Sequence, residues 1–90
     1  MMKTVELNAE KIQDRETLHK VLAEGFHFPD WYGSNLDAAY DLLTDMDKPF
    51  LIIVTGAPLF YKNLGNYFRK FMGMLCDVTM ANHQLTLVVL

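Results

Sequence analysis

Three aspartates with helical spacing are the residues of this chain best placed to do chemistry. Asp37, Asp41 and Asp45 recur every four residues. In a helix they project at about 100°, 140° and 180° from Leu36, which makes one ridge of carboxylates. Like charges at this spacing cost a few tenths of a kcal/mol per pair, and no basic residue of the segment relieves them. Such a ridge can bind Arg, Lys or His side chains of a partner, or can simply be solvated.

Acidic residues are concentrated in one part of the chain, although the formal net charge of the 90 residues is only -3. No Lys or Arg occurs between Lys20 and Lys48. Six acids lie in that interval, namely Glu24, Asp30, Asp37, Asp41, Asp45 and Asp47. This polarised pattern favours a basic partner over nucleic acid, whose phosphates require the opposite charge. A solvated acidic surface stays the alternative.

Other candidate chemistry is weak. The three histidines are not spaced as a metal pair, and Asp45 and Asp47 form at most half of a divalent-cation site. The lone Cys76 adjoins Leu75 and precedes Val78, so we expect its thiol to be buried and unreactive. The glycines form neither a phosphate-binding loop nor a dinucleotide fingerprint. We therefore expect no catalytic site, no metal site and no cofactor.

Length and composition predict one domain spanning residues 1–90, because 51% of the residues are hydrophobic and can supply a core. The apolar runs have the length of strands, well below the roughly 18 residues that a membrane helix needs. One cysteine allows no internal disulfide, and the first residues do not resemble a secretory leader. We expect a cytoplasmic protein that binds no membrane and is monomeric when free.

The pattern of apolar residues predicts an α/β fold with a three-stranded parallel sheet packed with helices. Strands are predicted at residues 3–7, 50–54 and 85–90. Helices are predicted between the cap Asp14 and Gly25, over 35–45, from Pro58 to a break at 63–65, and over 66–81. The uninterrupted apolar run at 50–54 is typical of a central strand that is covered on both faces.

Local signals predict how the first two helices begin and end. Asp14 is the expected N-cap of the first helix, and Gly25 is expected in the left-handed position just past its end. Ser34 with Asp37 matches the capping-box pattern for the second helix. That helix should bury one face, formed by Leu36, Ala39, Tyr40 and Leu43.

An aromatic loop precedes the acidic helix. Pro29 and Gly33 oppose helix formation there. Two aromatic residues, Phe26 and Phe28, are expected in the core, whereas Trp31 and Tyr32 are expected to face outward.

The loop and the helix together carry a specific resemblance. Residues 28–44 read FPDWYGSNLDAAYDLLT. This segment resembles the signature of the barstar family, roughly Pro-acid-aromatic-Tyr-Gly-x-Asn-Leu-Asp-Ala-x-aromatic-Asp-x-Leu-Thr. Elsewhere the chain resembles that family in length and in the order of its strands and helices.

The resemblance implies a protein that inhibits barnase-type extracellular ribonucleases. It places Asp41 in the enzyme's phosphate-binding site with Asp37 beside it. The residues implied to contact the partner are Trp31, Tyr32, Gly33, Asn35, Asp37, Tyr40, Asp41, Asp45 and Asp77.

The target stays open at this point. Tyr40 stands where well-known members carry Trp, and Asp45 with Met46 replaces a Gly-Trp pair. One alternative is a barstar-like interaction module that binds a basic partner other than a ribonuclease. An enzyme built on Cys76 or on the carboxylates is the second alternative.

Overall fold

The computed structural model describes residues 2–90 and shows three parallel strands packed with four helices. The strands are β1 (Lys3–Asn8), β2 (Phe50–Thr55) and β3 (Leu85–Val89). The helices are α1 (Arg15–Phe26), α2 (Leu36–Thr44), α3 (Ala57–Leu64) and α4 (Asn66–Ala81), and a short 3₁₀ turn occupies Ala9–Lys11. The predicted α/β fold with a three-stranded parallel sheet is confirmed.

The middle strand of the sheet is β2, in the order β1-β2-β3. Ile52 pairs with Val5 on one side and with Leu87 on the other. Alternate residues of β2 are buried and the others are half-buried. One face of the sheet is therefore buried, whereas on the other face the half-buried Ile53 lies between the exposed Glu6 and Val88. The prediction that β2 is covered on both faces was correct for one face only.

The first helix begins where the sequence predicts but ends later. The Thr17 backbone N–H donates to Asp14 Oδ1 at 2.7 Å, and this hydrogen bond holds the pKa of the Asp14 carboxyl below its usual value. At the other end, α1 continues through Phe26, and His27 takes the left-handed conformation with φ 58°. The prediction that Gly25 would occupy this position was wrong.

A close approach explains the glycine at position 25 instead. A Cβ atom there would lie 2.8 Å from Cγ1 of Val5, a buried residue of β1. Gly25 thus lets the last turn of α1 lie directly against the sheet. Continuing the helix also buries Phe26, whose ring centroid lies 5.1 Å from that of Phe50.

The long helix α4 buries one face and exposes the other. Its buried residues include Phe68, Phe71, Leu75 and Val78. Cys76 is exposed, so the prediction of a buried thiol was wrong. Successive residues of a helix rotate by about 100°, which turns Cys76 away from both apolar neighbours that suggested burial.

Within residues 2–90, no helix is long and apolar enough to cross a bilayer. Over the same range, no group of three or more His, Cys, Asp or Glu side chains is arranged to hold a metal ion.

Candidate partner-binding surface

The acidic helix is capped by Asn35, and the prediction of Ser34 as its N-cap was wrong by one residue. The Asn35 Oδ1 accepts a hydrogen bond from the Ala38 backbone N–H at 2.8 Å. Its Nδ2 donates to the Gly33 carbonyl at 3.3 Å. Ser34 instead forms the left-handed turn before the cap, with φ 53°. Because Asn caps as well as Ser, sequence alone did not distinguish the two.

Gly33 and Asn35, both predicted to contact a partner, are exposed, and a hydrogen bond connects the Asn35 side chain to the Gly33 carbonyl. A Cβ atom at Gly33 would lie 3.1 Å from Asn35 Nδ2. A side chain at position 33 would therefore press on the cap of α2. In this structure Asn35 also has a local role, because both polar atoms of its amide bind nearby backbone groups.

The carboxylates of Asp37 and Asp41 lie on the exposed face of α2, as the sequence predicts. On the opposite face Ala39 and Leu43 are completely buried. The core side of the helix thus sets the direction of the acidic side. No basic residue occurs within α2, so neither carboxylate has a cation on its own helix.

The last of the three aspartates, Asp45, is the exposed C-cap residue of α2. It follows the helix, and its carboxylate lies near the negative end of the helix dipole. This end of α2 is fastened by the buried Asn82, which follows α4. The Asn82 side-chain amide donates to the carbonyls of Leu43, Thr44 and Met46 at 2.9, 3.3 and 3.0 Å.

Packing of α2 against α4 brings Asp77 to the acidic helix. Asp37, Tyr40 and Asp77 line one open groove of about 380 Å³ between the two helices. Tyr40 was predicted on the buried face, but its side chain is 37% exposed at the border of that groove. The structure therefore collects on one surface three of the residues predicted to contact a partner.

Sequence reasoning missed a cation that lines the same groove as these acids. Lys70 lines the α2–α4 groove. It also lines a neighbouring groove of about 650 Å³, where Asp37 and Arg15 are found as well. Gly73 and Met74 follow Lys70 by three and four residues and precede Asp77 by four and three, so all four residues lie along one side of α4. This spacing is visible in the sequence once the helix is assigned.

The aromatic loop presents Trp31 to solvent and keeps Tyr32 partly inside. Trp31 is 75% exposed, and it lies in a turn closed by the Tyr32 backbone N–H, which donates to the Pro29 carbonyl at 3.0 Å. Tyr32 is half-buried, with its ring centroid 4.7 Å from that of Phe28. The prediction that both residues face outward is therefore confirmed for Trp31 and only partly correct for Tyr32.

A buried histidine joins this loop to the long helix α4. His19, on α1, is 2% exposed. Its Nδ1 lies 2.5 Å from the Tyr32 hydroxyl, and its Nε2 lies 2.7 Å from the Tyr67 hydroxyl on α4. Burial lowers the pKa of His19 and raises the pKa of both tyrosines, since it disfavours the charged form of each group.

This network was not predicted from the sequence. His19 precedes Leu22 by three residues and Phe26 by seven, so it belongs to the apolar stripe of α1. That spacing was the available signal, because a polar residue on such a stripe must find hydrogen-bond partners in the interior.

Comparison with known proteins identifies the family. The family model described as Barstar (barnase inhibitor) matches residues 2–90. The chain belongs to the barstar family. One similar protein is the Bacillus subtilis (strain 168) protein named "Putative ribonuclease inhibitor YrdF". The two are 33% identical over 67 residues, which cover 73% of this chain and 74% of that protein.

The barstar match includes the signature segment 28–44 as well as Asp77 on α4. All nine residues of the predicted contact set therefore lie within the range matched by the barstar model. Their contact with a partner stays a prediction.

Proposed function

We propose that this protein inhibits a barnase-type extracellular ribonuclease by covering its active site with α2 and the preceding aromatic loop. The observation that carries the proposal is the pair of exposed carboxylates, Asp37 and Asp41, on a helix without a basic residue. Membership of a family described by barnase inhibition supports it, as does the name of the Bacillus subtilis relative.

The mechanism is phosphate mimicry. A ribonuclease gathers Arg, Lys and His around the phosphate of its substrate, and those donors also bind a carboxylate in charge-assisted hydrogen bonds. Asp41, in the middle of α2, takes the place of the phosphate. The rigid helix holds the carboxylate in position before the encounter, so little conformational entropy is lost on binding.

The remaining contact residues surround Asp41. Asp37 and Asp77 accept hydrogen bonds from further cations of the enzyme, and Tyr40 lines the same groove as both. Asp45 extends the acidic face beyond the C-terminal end of α2. The exposed Trp31, with Tyr32, Gly33 and Asn35, forms the rim on the other side, where a large aromatic side chain can exclude water.

The complex has one inhibitor for each enzyme, the free inhibitor is a monomer, and inhibition requires no cofactor. We place its action in the cytoplasm. There it would protect cellular RNA from an enzyme that has not yet been exported.

The decisive experiment is inhibition of RNA cleavage, with barnase as the probe enzyme. Barnase at fixed concentration is titrated with the protein, and inhibition should be complete at one equivalent. Asp41→Ala should bind the enzyme about thirtyfold more weakly or worse and inhibit correspondingly less, whereas Glu10→Ala, which replaces an exposed acid outside the contact set, should inhibit like the native protein. Full RNA cleavage in the presence of excess native protein would contradict a barnase-type target.

One observation favours a different basic partner. Lys70 lines the same groove as Asp37 and Asp77, so its positive charge reduces the negative potential that a strongly basic active site would meet. A partner with an acidic side chain opposite Lys70 would suit this surface better. If Lys70→Ala inhibits barnase while the native protein does not, and Lys62→Ala on α3 remains inactive, the natural target is such a partner.

A further inference from the structure

The loop between α1 and α2 is held at its two ends by local hydrogen bonds. At its start, the Phe28 backbone N–H donates to the Ala23 carbonyl at 2.9 Å. At its end, Asn35 caps α2 through Ala38. Between these points Trp31 projects into solvent, and Tyr32 is the neighbour whose side chain reaches the interior.

The side chain of Tyr32 is linked by hydrogen bonds through His19 to Tyr67 in the first turn of α4. The Tyr32 hydroxyl binds one ring nitrogen of His19, and the Tyr67 hydroxyl binds the other. Tyr67 is in turn covered by Arg15, whose guanidinium carbon lies 4.2 Å from the ring centroid. The loop and α1, which are neighbours in sequence, are thereby joined to the distant α4 through one imidazole.

We infer that Tyr67 is a positioning residue for the partner-contacting loop and acts through His19 on Tyr32. The inference rests on the proposed function for what the loop binds, but not for how the loop is held. A neutral imidazole donates a hydrogen bond from one nitrogen and accepts one at the other. One tyrosine hydroxyl therefore accepts from His19, and the other donates to it. Removing the Tyr67 hydroxyl leaves a buried ring nitrogen unpaired and frees the imidazole to tilt away from Tyr32.

Trp31 allows a direct test in the free protein, because it is the sole tryptophan of the chain and adjoins Tyr32. Time-resolved fluorescence anisotropy of Trp31 is compared between the native protein and Tyr67→Phe, well below the melting temperature of each. The amplitude of fast local motion should increase in Tyr67→Phe. It should not change in Tyr61→Phe, the matched control, whose tyrosine is 51% exposed on α3. Unchanged Trp31 motion in folded Tyr67→Phe overturns the inference.

A double variant tests whether the effect passes through Tyr32. Tyr32→Phe removes the other end of the same chain of hydrogen bonds, so adding Tyr67→Phe to it should not increase Trp31 motion further. Additive increases would show that Tyr67 acts by another route, which also overturns the inference. If Tyr67→Phe does not fold, Arg15→Gln replaces it, since it removes the cation over the Tyr67 ring without touching the buried imidazole. Arg15→Gln should give a smaller increase in the same direction, and no increase counts against the inference.

Binding to barnase separates this inference from the proposed function. If both hold, Tyr67→Phe weakens binding by roughly two- to thirtyfold, the range for residues that act at a distance from a ligand, and Tyr61→Phe does not. If the native protein fails to bind barnase while Trp31 still becomes mobile in Tyr67→Phe, the positioning role stands and the ribonuclease target falls. If Tyr67→Phe weakens barnase binding without a change in Trp31 motion, Tyr67 contacts the enzyme directly and the positioning role is wrong.

Discussion

At the scale of single residues, the carboxylates of α2 are costly to the free protein. Asp37 and Asp41 are exposed four residues apart on a helix that contains no cation, and Asp45 follows at its end. Repulsion at this spacing is a few tenths of a kcal/mol per pair. The arrangement becomes favourable when a partner supplies positive charge. Removing one of these carboxylates should therefore weaken binding but not folding stability.

Asp41→Ala should weaken binding to the target ribonuclease by more than about 2 kcal/mol, the usual threshold of an interface hot spot. The enzyme's cations would be left in the interface without a partner. An aspartate of barstar itself is a standard example of such a hot spot, so this size is taken over from the family. Isothermal titration calorimetry would measure the loss.

The folding stability of Asp41→Ala should stay within about 0.5 kcal/mol of the native protein or increase slightly, since a repulsive exposed charge is removed. Urea unfolding measures this second quantity. Binding within about 0.5 kcal/mol of the native value, as for ordinary surface substitutions, would exclude phosphate mimicry even if inhibition is observed.

The buried imidazole predicts how stability depends on pH. Burial lowers the pKa of folded His19, whereas in the unfolded chain it should titrate near 6.5. Between these two values the unfolded state binds more protons than the folded state. The contribution of neutral His19 to stability should therefore be fully present above pH of about 6.5 and decrease as the pH falls towards the lower, folded pKa.

Urea midpoints measured between pH 7.5 and 5 would test this dependence. His27→Gln and His83→Gln, which replace exposed histidines, should show the same decrease as the native protein. His19→Leu should show a smaller decrease over the same interval. An identical pH dependence in His19→Leu would mean that other groups cause it.

At the scale of secondary-structure elements, contacts between neighbours determine where each helix lies and what it exposes. The Asn82 side chain holds the C-terminal end of α2 by donating hydrogen bonds to its last two carbonyls and to the carbonyl of Met46, which follows the helix. Gly25 allows α1 to touch β1. These contacts orient the acidic face and the start of the aromatic loop, although none of the residues involved is in the predicted contact set.

Replacing each of two helical glycines by alanine should change the folding stability in opposite directions. Gly25→Ala should destabilise the protein by about 1 kcal/mol or more, because its Cβ would overlap the buried, β-branched Val5. Gly73→Ala in α4 should stabilise it by up to about 1 kcal/mol, because the added Cβ meets nothing within 4 Å and Ala favours helix. Urea unfolding of both variants would check the signs, and equal stabilisation would show that α1 does not lie against β1 as described.

At the scale of the whole molecule, charge is distributed unevenly rather than being large. The net charge is -3, yet the interval between Lys20 and Lys48 holds six acids and no Lys or Arg. An acidic region of this kind guides a basic partner towards α2 before contact, which raises the association rate more than it prolongs the complex.

The association rate with a basic ribonuclease should therefore fall by roughly tenfold or more between low and high salt, while dissociation changes little. Asp30 and Asp47 are exposed acids of this interval outside the contact set. The double variant Asp30→Asn with Asp47→Asn should associate more slowly at low salt, and its association rate should depend less on salt. Glu6→Gln with Glu10→Gln, the matched pair outside the interval, should do neither. Stopped-flow mixing gives these rates, and an association rate insensitive to salt would exclude electrostatic guidance.

Much of the architecture follows from local sequence. The apolar run of β2, the cap at Asp14 and the break at Gly65 are short-range signals, and the structure contains each of them. The direction of the acidic ridge was also predictable, because a helix with Ala39 and Leu43 in the core must turn Asp37 and Asp41 outward. These features depend on residues within a few positions of one another, whose relative geometry a helix or strand determines.

Other features depended on which distant segments meet. Cys76 was predicted to be buried from its neighbours in sequence, but only the packing of α4 shows that its side of the helix faces solvent. Helix α1 extends past Gly25, beyond its predicted end, because Phe26 packs against Phe50 of β2. His19 found its partners in Tyr32 and Tyr67, which are 13 and 48 residues away. Burial and hydrogen bonding between such residues are decided by tertiary contacts, since a single side chain can be satisfied in many ways until the folded chain selects one of them.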